Sequence, residues 1–285
     1  MPDTRLLKDR LDRLAASFGP GFLDTDPLGI VHRYCAPEDC EAAGFIAAML
    51  AYGGAAQIRR SVEAALEPLG PSPAKAAAAL SAGDLLDLYE SFRHRWTSGG
   101  ELAFLVHTLG GIIARHGSLG AFARMLDNPA EPHIGGLLTR LAEHFRACHN
   151  PAVFPCGSRT APSYLVPSPA HGSACKRPVM LMRWMVRGPD NVDFGLWRFI
   201  EPARLVIPLD RHIARMGLRL GLTRRTQADW RTVLEITDFL RRLDPADPVR
   251  YDFALVRPGI MGLCAKPDAA GCAECILSDV CRELP

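Results

Sequence analysis

No apolar stretch of the chain approaches the roughly 20 residues needed to cross a bilayer, which excludes a helical membrane span. Charge of one sign is not in large excess either: the net value is +2, so the chain as a whole is not a strongly basic polyanion binder. Runs of alternating polar and apolar residues, the mark of half-buried strands, are missing, as are internal repeats and long low-complexity stretches. These absences set aside sheet-based and solenoid architectures. The N-terminal segment MPDTRLLKDRLDRLAASF is amphipathic and charged, without the apolar core of a secretory signal. The expected setting is the cytoplasm, where thiols stay reduced.

What remains reads as helix. Leu6, Leu7, Leu11 and Leu14 recur at helical spacing over 4–17. PEDCEAAGFIAAMLAY opens with Pro37, Glu38 and Asp39, good first-turn residues, and continues almost wholly apolar until Gly53 and Gly54, as expected of a central helix. Further helices are predicted over 58–69, 74–92, 102–117, 133–147, 174–187, 211–221 and 227–243, with a last one leading out of DPADPVRYDFALV. Residues 150–172 are rich in Pro, Ser and Gly and are predicted as an extended loop, a length that in a compact domain suggests function. The stretch 188–209 is irregular, with Phe194, Trp197 and Phe199 interleaved with charge. The expected class is all-α. At 285 residues the chain holds one large domain or two compact ones.

Two features point to chemistry. Residues 171–250 carry fifteen Lys and Arg against nine Asp and Glu, a basic segment in a near-neutral chain, which suits either one anion-facing surface or Arg-rich solvated helix faces. Four of the nine cysteines, Cys264, Cys272, Cys275 and Cys281, follow a C-x7-C-x2-C-x5-C pattern near the C-terminus. The two-residue gap is a common chelate spacing. Four thiolates complete a [4Fe–4S] cluster or a zinc site, and sulfur ligands alone do not choose between them. Buried cysteines or two disulfides are the plain alternatives.

A helical chain ending in four such cysteines resembles the helix-hairpin-helix DNA glycosylase superfamily, its endonuclease III-like branch in particular. GSACKRPVMLMRWM resembles the hairpin and its second helix, with Gly172 as the hairpin glycine and Lys176 as the catalytic lysine. VIPLDRHIARMGLRLGL resembles the segment that carries the catalytic aspartate, here Asp210, followed by His212, Arg215 and Arg219. The sequence departs from the usual pattern at Ala174, where a second hairpin glycine is common, in seven rather than six residues between the first two cysteines, and in an added stretch, DNVDFGLWRFIEPARL.

The resemblance implies two helical lobes, 40–205 with the hairpin and 1–39 plus 206–285 with the cluster loop, meeting at a cleft. It implies a base-excision glycosylase, possibly an abasic-site lyase, on duplex DNA with a damaged or mismatched base, located in the cytoplasm at the nucleoid. Lys176 and Asp210 would be catalytic, while Gly172, Ser173, Arg215 and Arg219 would contact DNA. Cys264, Cys272, Cys275 and Cys281 would hold a [4Fe–4S] cluster, or zinc. His212 is expected to be structural. One of Phe194, Trp197 and Phe199 is a candidate lining for the base pocket. A non-catalytic nucleic-acid-binding protein and an iron–sulfur redox or sensor protein are the alternatives.

Overall fold

The computed structural model describes residues 3–154, 161–262, 264, 272 and 275–282. Helix α1 (Thr4–Ser17) starts where Asp3 accepts from the backbone N–H groups of Arg5 and Leu6, and it buries the stripe Leu7, Leu11 and Leu14. A 3-10 turn over Pro20–Thr25 leads to the short α2 (Leu28–Val31). Helix α3 (Pro37–Met49) begins with Pro37 and an acidic first turn, and every residue from Asp39 to Met49 is buried. Helix α4 (Ala55–Leu66) follows the Gly53–Gly54 break.

The stretch 74–92, predicted as one helix, is two: α5 (Pro73–Ala79) and α6 (Ala82–Leu88). The Ser81 hydroxyl and the Asp84 carboxylate form a reciprocal capping box that starts a new helix and so ends the old one. Two short antiparallel strands, β1 (Arg93–His94) and β2 (Thr97–Ser98), are the sole sheet among the described residues. A second capping box, Ser98 with Glu101, launches α7 (Gly99–His116), and α8 (Leu119–Leu126) and α9 (Gly135–Cys148) follow.

The described residues of 150–172, predicted as an extended loop, are not all loop. They contain α10 (Ala161–Leu165) and a 3-10 turn, Pro169–His171, which starts on a proline and whose first N–H groups include one bonded to the Ser168 hydroxyl. Helix α11 (Lys176–Val186) packs on α3, and Gly44 leaves the space taken by the Met185 side chain. Residues 188–209 are irregular, as expected, apart from a turn over Pro202–Arg204. The chain closes with α12 (Arg211–Arg219), α13 (Trp230–Leu243) and α14 (Asp252–Ile260). Helix α14 packs against both α12 and α1, so the first helix joins the last elements. The fold is helical, with the buried residues forming one continuous core.

Close approach between α5 and α7 depends on a bare backbone. A Cβ at Gly110 would stand 1.9 Å from the Ala77 carbonyl oxygen, whereas one at the exposed Gly111 would meet nothing within 4 Å. Gly110→Ala should therefore cost about 1–3 kcal/mol through overpacking, and Gly111→Ala should add about 0.5–1 kcal/mol of helix stability. Thermal melts of the two variants should move in opposite directions.

Candidate functional site

The N-termini of α11 and α12 meet at the wall of a cavity of about 1010 Å³. Lys176 is the first residue of α11, and Asp210 is the N-cap of α12. The cap uses one carboxylate oxygen: Asp210 Oδ1 accepts from the N–H groups of His212 at 2.8 Å and Ile213 at 2.9 Å. Oδ2 is left to face Lys176 Nζ at 3.8 Å. The same ammonium group lies 3.5 Å from the Ala51 carbonyl oxygen. Both side chains retain access to the cavity, with 31% exposure for Lys176 and 17% for Asp210.

The turn before α11 is set by two left-handed residues, Gly172 (φ +74°) and Cys175 (φ +50°). Ala174, which stands where a second glycine was looked for, does not take that conformation; the neighbouring cysteine does. Cys175 is fully packed, and burial pushes its thiol up to about 12. The turn is fastened to the start of α13, because the Trp230 N–H donates to the Gly172 carbonyl at 3.1 Å and Ser173 pairs with Asp229. Gly172 is exposed, and Ser173 lines the cavity.

The cavity wall carries Arg95, Arg146, Lys176, Arg177 and Arg211, and among the described residues Asp210 is its one carboxylate. Arg177 donates to the carbonyls of Met49, at 2.8 Å, and Tyr164, and its guanidinium stands 5.2 Å from the Tyr52 ring centroid. The Arg146 Nε is buried without a hydrogen-bond partner among the described residues. Tyr52, Trp96 and Tyr164 supply the aromatic surface. Their position depends on a chain of hydroxyls: Tyr52 to Thr97 at 2.5 Å, Thr97 to Tyr164 at 2.9 Å, and Tyr164 donating to Glu101 at 3.1 Å.

Phe194, Trp197 and Phe199 line neither this cavity nor its neighbour. Trp197 is core, donating its indole N–H to the buried Glu41 carboxylate at 2.8 Å, and Phe194 stacks on His32. Trp197 thus ties the added stretch to α3, while Asp190 and Val192 of the same stretch line a separate pocket. Tyr52, Trp96 and Tyr164 were not singled out in the sequence; a two-residue link between short polar segments carries little signal.

The arginines divide. Arg219 is turned inward, 5% exposed, and donates to Cys264 Sγ at 2.8 Å, which removes it from any surface contact. Arg215 is half-buried beside His212, and its Nε has no partner. His212 lines the cavity, and burial holds its imidazole below the usual range, with Asp210 opposing and Arg211, Arg215 and Lys176 adding. A Cβ at Gly259 would stand 2.2 Å from His212 Nδ1, so α14 leaves room for this ring.

The cysteine segment is anchored from three sides. Arg10 of α1 grips Asp279 with Nε at 2.9 Å and Nη2 at 2.6 Å. The Arg282 N–H donates to the Arg219 carbonyl at 2.9 Å, and Leu277 and Val280 enter the core. All four thiols are free, and burial raises Cys281, with Cys264, Cys275 and Cys272 adding and Arg219 opposing. Of the four sulfurs, that of Cys264 meets the buried Arg219 guanidinium. Among the described residues, no three metal-ligating side chains stand at metal-binding distance. Lys266, the one Lys or Arg between Cys264 and Cys281 in the sequence, lies outside those residues.

A smaller cavity of about 360 Å³ shares Lys176, Asp210 and His212 and reaches down to Asp252. Arg183 of α11 donates to Asp252 at 2.6 Å and to Asp193 at 3.0 Å. Burial pushes the Asp252 carboxyl up to about 6, with Arg183 opposing and Asp210 and Asp193 adding. Its Oδ1 has no partner.

Fold and site together define a helical protein in which a lysine and an aspartate, from two helix N-termini, share a cation-lined cavity. Residues 26–261 match the family described as Protein of unknown function (DUF2400), and the chain belongs to that family. No curated protein and no solved structure matches it.

The Asp252 carboxyl makes a pH test. A carboxyl whose folded value lies above its unfolded one binds its proton more tightly when folded. Its contribution to stability is complete below about pH 4 and is lost as pH rises through about 6. Asp252→Asn removes this titration, so the variant's stability relative to wild type should rise over that window in denaturant melts. Parallel curves would show that the carboxyl is not raised.

Proposed function

We propose that the chain is a DNA base-excision enzyme that cleaves the N-glycosidic bond of a damaged or mismatched base held outside the stack, with abasic-site lyase activity at Lys176. The Lys176–Asp210 pair carries this reading: two residues distant in sequence face each other at 3.8 Å on the wall of a cavity large enough for a nucleotide. The short helix, the turn at Gly172 and α11 support a helix-hairpin-helix element, and the cations around the cavity support a phosphate-bearing ligand.

Loss of the base, which leaves with the bonding electron pair and gains a proton, develops positive charge on the sugar. Asp210 Oδ2, unused by the helix cap, stabilises that charge. The unprotonated Lys176 amine then bonds to the anomeric carbon. Cleavage of the bond between the anomeric carbon and the ring oxygen, with a proton from the nitrogen passing to that oxygen, gives a Schiff base, which permits elimination of the 3′ phosphate. Cys264, Cys272, Cys275 and Cys281 would hold a [4Fe–4S] cluster, or zinc, whose contribution is to stake the C-terminal segment against α12 and α1.

Borohydride reduction on abasic-site duplex DNA tests the chemistry without a guess at the lesion. Wild type should give a covalent adduct and Lys176→Ala none. Asp210→Asn should slow single-turnover excision by roughly 10²–10³-fold with duplex binding retained. An adduct of equal yield in Lys176→Ala would remove that lysine from the mechanism. Salt-dependent duplex binding with no cleavage across a broad lesion panel would favour the non-catalytic binder.

Protein purified without oxygen should be coloured and carry iron and acid-labile sulfide in equal amounts, with Cys272→Ser lowering both. A colourless protein with one tightly bound zinc would replace the cluster.

A further inference from the structure

Trp96 is 59% exposed, while Trp184 and Trp197 are almost wholly buried. It sits at the tip of the β1–β2 hairpin, in a two-residue turn whose other member, Arg95, takes a left-handed conformation at φ +54°. Turns of this kind favour Gly, Asn or Asp there, because a larger side chain costs about 1 kcal/mol or more. The observed turn places both side chains at the cavity mouth. The Trp96 ring lies nearly parallel to Tyr52, with centroids 5.3 Å apart and planes 16° from one another. The Arg95 guanidinium stands 4.7 Å from the Trp96 centroid, lies over Gly53, and makes no ion pair among the described residues.

Tyr52 is not free to move aside. Its hydroxyl is held by the His94 carbonyl at 2.9 Å and by Thr97, and its ring meets His94 edge-on. The result is a fixed aromatic base under a largely exposed indole, beside unpaired cations and a single cavity carboxylate. Planar aromatic groups linked by regularly spaced negative charges match this surface, and single-stranded nucleic acid has both. A sugar-binding platform would need carboxylates or amides around the ring; Asp210 is the only such side chain lining this cavity among the described residues.

We propose that Trp96, braced by Tyr52, is a stacking platform for a nucleobase in a locally single-stranded stretch beside the nucleotide in the cavity, with Arg95 taking an adjoining phosphate. This rests on the reading of the ligand as DNA but not on any bond cleavage. The platform orders the displaced strand at the cavity mouth, and it accepts any base because every base offers a π-face.

Binding of oligothymidine and of a matched strand of abasic sugar-phosphate units, measured by anisotropy and by tryptophan fluorescence, tests it. The full-length protein should bind oligothymidine with saturable quenching. Trp96→Ala should weaken that binding by about tenfold, Trp96→Phe should restore most of it, and both should melt like wild type. On the abasic strand the Trp96→Ala loss should vanish. Arg95→Gly should weaken binding to both strands and lower the salt dependence by about 0.7 in the log–log slope, without loss of thermal stability. Equal affinity of Trp96→Ala and wild type for oligothymidine, or an equal loss on both strands, would overturn the platform. Quenching that survives in Lys176→Ala, with no trapped adduct in wild type, would sink the catalytic reading and leave the platform standing.

Discussion

Arg183 keeps its charge where almost no water reaches it. Its side chain is 5% exposed, and its partners Asp193 and Asp252 are 0% and 5% exposed. A charge in such a place is tolerated only with its partners in good geometry, and removal of one leaves the others stranded at a cost of about 3–5 kcal/mol. The partners come from the irregular stretch after α11 and from the first turn of α14. Arg187, one turn further on, extends the same arrangement to Asp193 and Asp247. Satisfying these charges fixes the run of α11 relative to α14. Because α14 packs on α12, it also fixes α11 relative to α12. Lys176 and Asp210 meet at the near ends of those helices. The Lys176–Asp210 pair therefore stays open to the cavity while the charges that align it are sealed beneath.

Around Tyr52 the ordering rests on hydroxyls that end on one buried carboxylate, Glu101. Tyr52, Thr97, Tyr164 and Glu101 pass hydrogen bonds from one to the next, and Glu101 also completes the cap of α7. Desolvation is less costly for hydroxyls than for charges, so this wall is held without competing with the cations that face the cavity. Burial raises the pKa of both tyrosines, which keeps them as donors and acceptors rather than phenolates. With Arg177 against Tyr52 and Arg95 against Trp96, charge and fixed aromatic surface adjoin in the cavity wall.

Much of the helical scaffold was legible in the sequence because its signals are local. The Leu7, Leu11 and Leu14 stripe and the acidic start of α3 act within a turn or two, and both helices formed where they placed them. The misplaced elements failed for a local reason as well: the Ser81–Asp84 box outweighed the apolar spacing that ran across it, and the prolines of 150–172 began short helical turns as well as ending others. The pairing of Lys176 with Asp210 was expected from resemblance, and the fold brings the two side chains within 3.8 Å. The aromatic surface was sought in Phe194, Trp197 and Phe199, whose place among charged residues looked like a pocket wall. Glu41, a buried carboxylate on a distant helix, claims Trp197 instead.

The sequence by itself determined which segments are helical and where the thiols and cations cluster along the chain, because helix caps, apolar periodicity and residue spacing are properties of neighbours. Only the tertiary structure decided that Arg219 faces Cys264 rather than solvent, that Trp96 and Tyr52 line one cavity with Asp210, and that Asp252 lines the smaller cavity that shares Asp210. Those outcomes follow from desolvation. A buried guanidinium or carboxylate takes the partner that packing brings to it, and no local pattern in the chain states which one that is.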